Sequence, residues 1–353
     1  MAHSPITYKE AGVDISANTR WVGAIRSAML STFGPRVMNR DNAFAGLFRL
    51  DYDEQLFRRN YRKPVLIACA DGVGTKVLLA IQTGRLDTIG IDLVAMNVND
   101  LITCGGEPLF FLDYLGVSAL NPKDLATVID GIAAGCREAG CALLGGETAE
   151  MPDVYRPGDL DLAGFAVGVV ELDRVVDGLR IKPGDQIVAL PSSGVHSNGF
   201  TLVRKLIERQ RAALDEYVDE LGGPLGAALL RPTRIYVSAA AAVARAYPNT
   251  TAVTGMAHVT GGGLRENISR VLPHTCNAVI RKAAWTPPPV FAVIRRMGTS
   301  RAEMFKVFNM GIGFVFIVRP RFTDGVMNAL RGAGEDPILI GEIQKGAARV
   351  ILK

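Results

Sequence analysis

A chain of 353 residues, 48% hydrophobic and 21% charged, is expected to fold as a globular protein of two domains, each able to bury a core. Its net charge of +4 is too mild to call for nucleic acid, and the basic run Arg58-Arg59-Asn60-Tyr61-Arg62-Lys63 reads as a solvated edge. No apolar stretch approaches the roughly 18 residues of a membrane helix, and the first residues lack the apolar core of a leader.

Cys69, Cys104, Cys136, Cys141 and Cys276 form no CxxC pair, which points to reduced thiols in the cytoplasm and against a zinc site. Residues 65–70 form an apolar run of strand length and residues 77–81 a second apolar run. Between them stands Asp71-Gly72-Val73-Gly74-Thr75-Lys76. Two glycines close a tight turn and free amide N–H groups for an anion; Asp can hold a metal and Lys can offset phosphate charge. A plain turn is the competing reading. The Walker spacing is absent.

Residues 90–104 read as a helix that is apolar except for Asp92, Asn97, Asn99, Asp100 and Thr103. At about 100° per residue, Asp92 and Asn99 share a face and Asp100 is turned some 80° from Asp92. A carboxylate in a buried helix costs several kcal/mol unless paired or cation-bound, so two readings stand: a buried hydrogen-bond network, or a magnesium–nucleotide site shared with Asp71. Strand-like runs follow at 109–117 and 141–144, flanking a helix that Asn121-Pro122 opens and Gly140 closes. Gly145-Gly146-Glu147 after the second run reads as another strand-tip loop bearing a carboxylate. Residues 162–170 give one more strand.

The pattern changes between about 171 and 184, which sets expected domains of 1–175 and 176–353. Lys182-Pro183-Gly184-Asp185 turns into a strand at 186–190. Ser192-Ser193-Gly194-Val195-His196-Ser197-Asn198-Gly199 is dense in donors before a helix starting near Phe200, a plausible anion site or a simple cap. His258 precedes Gly261-Gly262-Gly263 and a helix at 264–272. Pro287-Pro288-Pro289 starts a later helix, and strands are expected at 307–318 and 337–343. Neither His196 nor His258 has a Ser or Cys partner at a known spacing, so triad chemistry is unsupported. The fold class is α+β (mixed α/β) in two domains.

These loops, in this order, resemble the phosphoribosylformylglycinamidine cyclo-ligase (aminoimidazole ribonucleotide synthetase) family almost end to end. The resemblance rests on the motifs at 8–14, 71–76, 90–100, 107–114, 145–152, 192–199, 258–263 and 308–313. It implies a homodimer whose N-terminal domains form a closed sheet or barrel, and a C-terminal sheet-and-helix domain that completes the substrate site. It further implies ATP and Mg2+ as cofactors, and ring closure of formylglycinamidine ribonucleotide to the aminoimidazole with release of ADP and phosphate.

Carried onto this chain, the resemblance assigns Asp71, Gly72, Gly74, Thr75, Lys76, Asp92, Asn99, Asp100 and Glu147 to the nucleotide, with Asp71, Asp92, Asp100 and Glu147 on the metal. Ser193, Gly194, His196, Ser197, Asn198, His258, Gly261 and Gly262 fall to the ribonucleotide. Asp71, Lys76 and His196 are the expected catalytic groups: Lys76 on the transferring phosphoryl, His196 in proton handling. One departure stands out: the usual glycine-rich loop reads Met38-Asn39-Arg40-Asp41-Asn42-Ala43-Phe44-Ala45-Gly46 here, so a stiffer lid is expected. A related selenophosphate synthetase would need an N-terminal reactive cysteine, and the first here is Cys69. A non-catalytic nucleotide sensor is the reading from another class.

Overall fold

The computed structural model describes residues 15–38, 46–50, 61–248 and 251–353. The motif at 8–14 and the glycine-poor loop at 39–45 lie outside the described residues.

The first half comprises α1 (Ile15–Leu30), β1 (Pro64–Gly72), α2 (Lys76–Thr83), α3 (Ile89–Ile102), β2 (Glu107–Val117), α4 (Pro122–Ala139), β3 (Ala142–Glu150) and β4 (Leu160–Glu171). Its sheet runs β1-β4-β2-β3, antiparallel except for the β2–β3 pair. Parallel neighbours need a crossover, and α4 supplies it. The helix starts where the sequence says: Asn121 accepts from the Asp124 amide, Pro122 follows, and Gly140 closes the helix in the left-handed region. Apart from Asp100, α3 is buried or nearly so, because it lies between the sheet and α4. Gly90 makes that crossing close: a Cβ there would sit 2.2 Å from the Val128 carbonyl oxygen of α4.

One face of this sheet buries Phe111, Leu115, Leu162 and Ala166 against the helices. The other face is apolar yet open. Leu66 is 59% and Phe165 42% exposed there. A sheet covered on one side normally shows polar residues on the other.

The second half holds β5 (Gln186–Pro191), α5 (Phe200–Gln210), a short hairpin of β6 (Tyr217–Val218) and β7 (Gly223–Pro224), α6 (Leu225–Leu229) and α7 (Val237–Ala246). It continues with β8 (Val253–His258), α8 (Gly263–Ser269), β9 (Cys276–Ile280), α9 (Pro289–Arg296), α10 (Arg301–Val307), β10 (Ile312–Val318), α11 (Thr323–Gly332), β11 (Ile338–Lys345) and β12 (Val350–Leu352). The six-stranded sheet runs β12-β9-β11-β5-β10-β8. Every residue of β10 is buried, since both faces of the sheet are covered. Val188, Leu190, Phe314 and Phe316 join a core that continues into α3 and α4, whereas Ile187, Ala189, Val315 and Ile317 join a second core with α8. The shared core welds the two halves together.

Two expected elements differ. The strand expected at 307–318 begins at Ile312, because 301–307 are helical and Gly311, at φ 96°, turns the chain. Gly145-Gly146 is no loop: β3 runs through both glycines to Glu150. Gly146 stands opposite Asp113 of β2, and a Cβ there would lie 2.1 Å from the Asp113 carboxylate, so glycine makes room for a buried acid.

Candidate active site

Asp71 and Gly72 end β1, and the loop to α2 reaches the second half. A Cβ on Gly74 would stand 3.8 Å from the Ser197 carbonyl oxygen, and the Thr75 and Thr201 hydroxyls are 3.0 Å apart. The glycine loop of one half therefore abuts the donor-rich loop of the other. Asp71 is half-buried, with Oδ1 accepting from the Gly72 amide at 2.8 Å. Burial foremost, with the Asp100 charge adding, pushes its carboxyl above the usual range. A bound cation would relieve that cost.

Lys76 and Asp92, expected on the phosphate and the metal, are found as a buried pair with each other. Both side chains are 0% exposed, with Nζ 2.7 Å from Oδ2. Burial lowers the Lys76 pKa and Asp92 opposes the shift. Lys76 also donates to the Arg231 carbonyl at 2.8 Å, and Asp92 Oδ1 accepts from the Thr233 amide and hydroxyl at 2.7 and 2.6 Å. Asn99, expected on the nucleotide, is fully buried: its amide donates to the Arg234 carbonyl and accepts from the Tyr236 amide.

The expected four-carboxylate metal set does not assemble. Among the described residues no group of three or more His, Cys, Asp or Glu is placed to hold a metal ion. Asp100 is paired with His258, its Oδ1 2.8 Å from Nδ1. Asp71 aligns through Gly164 and Asp113 with Gly146, three strand spacings or about 14 Å away, and Glu147 then alternates to the opposite face.

The loop at 192–199 brings its residues to the junction. His196 is fully buried in the left-handed region at φ 64°, and its Nε2 accepts from the Ser193 amide at 3.2 Å. That places the proton on Nδ1, which has no hydrogen-bond partner among the described residues. Burial first, and then the nearby His258, Lys76 and Arg234, hold its pKa well below the ordinary value, so the ring is neutral. His258 is also buried; its Nε2 likewise lacks a partner among the described residues.

Ser193 Oγ donates to the Pro232 carbonyl at 2.6 Å, and Ser197 Oγ lies 3.4 Å from the Thr233 hydroxyl. Asn198 reaches Gly261, where a Cβ would sit 3.3 Å from its Oδ1, and Gly262 caps α8 at φ 86°. Asn309 fixes the loop: it donates to the Gly194 and Val195 carbonyls and accepts from the Ser192 hydroxyl and the Gly311 amide. Gly194 thus serves through its carbonyl oxygen. Sequence reasoning missed Asn309 in this role, although it stands in the matching motif at 308–313, and missed residues 230–236, which follow no periodicity.

Comparison with known proteins agrees in both halves. Residues 55–170 match the AIR synthase related protein N-terminal domain and residues 182–353 its C-terminal domain. A phosphoribosylformylglycinamidine cyclo-ligase of Magnetococcus marinus is 48% identical, over 99% of this chain and 97% of that one. One from Thermodesulfovibrio yellowstonii is 47% identical over 97% of each. Among solved structures, thiamine-monophosphate kinase of Stenotrophomonas maltophilia shares the fold at a TM-score of 0.64 and 17% identity, over 94% of this chain and 95% of that one. Hydrogenase maturation protein HypE in complex with ATP does so at 0.63 and 18%, over 97% and 93%. On near full-length identity approaching one half, with both domains present in order, the chain belongs to the phosphoribosylformylglycinamidine cyclo-ligase family.

Proposed function

We propose that this enzyme uses ATP to close formylglycinamidine ribonucleotide into 5-aminoimidazole ribonucleotide, releasing ADP and phosphate in purine biosynthesis. The observation that supports it best is the direct packing of the glycine loop of the first half on the donor-rich loop of the second. A phosphoryl donor and its acceptor need that adjacency, because such chemistry depends on positioning and charge neutralisation more than on a protein nucleophile.

The formyl oxygen is a poor leaving group. Its attack on the γ-phosphorus forms an O–P bond and releases ADP. An amidine nitrogen then attacks the formyl carbon, the C–O bond breaks, phosphate departs and the nitrogen loses its proton. Asp71, at the β1 tip, is the carboxylate that fits Mg2+, which takes one or two carboxylates and completes its shell from phosphates and water. Bound there, the ion would neutralise phosphate charge. The Gly72, Gly74 and Thr75 backbone lines the phosphates. His196 donates from Nδ1–H, and His258, oriented by Asp100, offers Nε2 to the ribonucleotide. Ser193, Ser197, Asn198, Gly261 and Gly262 complete that side.

A homodimer is part of the reading. The open apolar face with Leu66 and Phe165 fits a second copy of itself, and Glu147, on that face, belongs to the interface rather than to the Asp71 metal. No described helix is long and apolar enough to cross a membrane, in keeping with a cytoplasmic place. Product assay tests the function: aminoimidazole ribonucleotide should form only with ATP, Mg2+ and the formylglycinamidine substrate together. Asp71→Asn should reduce turnover about 100-fold or more with the fold intact. Near-normal turnover would remove Asp71 from the metal; nucleotide binding without product would favour a sensor.

A further inference from the structure

Residues 230–236 cross the junction between the halves without regular structure until α7 begins. Backbone groups buried in such a segment need partners from elsewhere. Here side chains supply them: the first half meets Leu230, Arg231, Thr233, Arg234 and Tyr236, and Ser193 of the second half meets Pro232. From the first half, the Thr88 hydroxyl donates to the Leu230 carbonyl at 3.0 Å and Lys76 to that of Arg231. Asp92 holds the Thr233 amide and hydroxyl, and Asn99 holds the Arg234 carbonyl and the Tyr236 amide.

From the second half, Ser193 donates to the Pro232 carbonyl. Arg234 pairs with Glu335 at 2.7 Å, and the Tyr236 hydroxyl donates to the Pro191 carbonyl at 2.8 Å. The segment is a strap between α2 and α3 on one side and the 192–199 loop on the other. Ser193, whose hydroxyl is held by the strap, also gives its amide to His196. A path of direct contacts thus runs from Lys76 and Asp92 through Arg231, Pro232 and Thr233 to Ser193, Ser197 and His196.

We propose that Lys76, Asp92 and Asn99 are positioning residues, which set the 192–199 loop against the glycine loop through this strap and touch neither nucleotide nor ribonucleotide. The inference rests on the cyclo-ligase reading for its kinetic arm only. Lys76 Nζ meets both Asp92 and the Arg231 carbonyl, and Asp92 uses one oxygen on Lys76 and the other on Thr233. Asn99 uses its nitrogen and its oxygen on the strap, and the Lys76–Asp92 pair is fully buried. A shift of about 1 Å in a substrate loop can cost about 100-fold in rate, so distant residues acting through the strap have that much leverage.

The test compares Lys76→Met with Lys76→Met/Asp92→Asn by hydrogen exchange of the Thr233 and Tyr236 amides, and by kcat and KM for ATP. In the single variant Asp92 is left charged without its partner. Exchange at both amides should rise about tenfold or more, and kcat should fall about 100-fold while KM for ATP moves little. In the double variant no charge is stranded, and the carboxamide oxygen that replaces the Asp92 carboxylate still accepts from the Thr233 amide. Protection and most of the lost kcat should therefore return.

A phosphate-contacting Lys76 gives the opposite pattern: unchanged exchange, raised KM for ATP, and a double variant no better than the single. That pattern overturns the proposal. Where the single variant does not fold, the double decides: folded and within about tenfold of wild-type turnover supports the strap, folded and inactive overturns it. Wild-type protein that makes no product would instead remove the cyclo-ligase reading, and the exchange data would still decide the strap.

Discussion

Asp92 and Asp100 lie eight positions apart on α3, are the same residue type, and both face the second half of the molecule. Their surroundings make them different groups. Asp92 is 0% exposed and paired with an equally buried lysine, its other oxygen gripping Thr233. Asp100 is 43% exposed and paired with a histidine whose far nitrogen has no partner among the described residues. A buried, fully engaged pair fixes structure; an open acid that orients a half-used imidazole leaves chemistry to be done. Residue identity and helix are the same in the two cases, so what separates structure from function here is partner saturation.

Removing each acid should break the two apart in opposite senses. Asp92→Ala strands the Lys76 charge and should cost about 3–5 kcal/mol in a denaturant titration. Asp100→Asn should cost under about 1 kcal/mol, since the pair is partly solvated, while reducing turnover roughly 10- to 100-fold as His258 loses its orienting charge. Equal stability losses for the two variants would dissolve the contrast.

Asp113 sharpens it with a third acid, buried and with no cation paired to it among the described residues. Burial pushes its carboxyl up to about 7, against an unfolded value near 3.9. Raised in the fold, it contributes stability below about pH 4 that is lost as pH climbs through 7. Asp113→Asn should therefore match wild type near pH 4 and gain up to a few kcal/mol by pH 8, the sign reversing for a carboxylate that was ion-paired. A pH-independent difference would mean that the Asp113 carboxyl titrates alike in the folded and unfolded chain. The smallest effect belongs to the surface pair Arg296–Glu220, where both side chains are about half exposed: Glu220→Gln should change stability by less than about 1 kcal/mol.

Local signals were legible in the chain. Asn121, Pro122 and Gly140 mark both ends of α4, and the alternation of apolar runs with glycine loops gives the strand-to-helix joints at Asp71, Ser192 and His258. The direction in which Lys76 points was not legible. Its partner carbonyl at Arg231 is 155 residues away and Thr233 is 141 from Asp92, so no spacing rule connects them. Gly145-Gly146 misled for a related reason: a glycine admitted for a close cross-strand approach reads the same as one admitted for a turn. Strand alternation decides the face that Glu147 takes, and reading it requires knowing that β3 continues. The buried-network reading of α3, held open beside the metal reading, is the one that Asp92 and Asn99 follow.

Oxygen tracing tests the proposed chemistry most directly. Formylglycinamidine ribonucleotide carrying 18O on its formyl group is turned over with ATP, Mg2+ and the wild-type protein, and the released phosphate is weighed by mass spectrometry. Transfer through a phosphorylated formyl oxygen puts one 18O in the phosphate for each ring closed. Product formed with unlabelled phosphate would contradict it, since ATP would then be hydrolysed by water and the ring closed by another route.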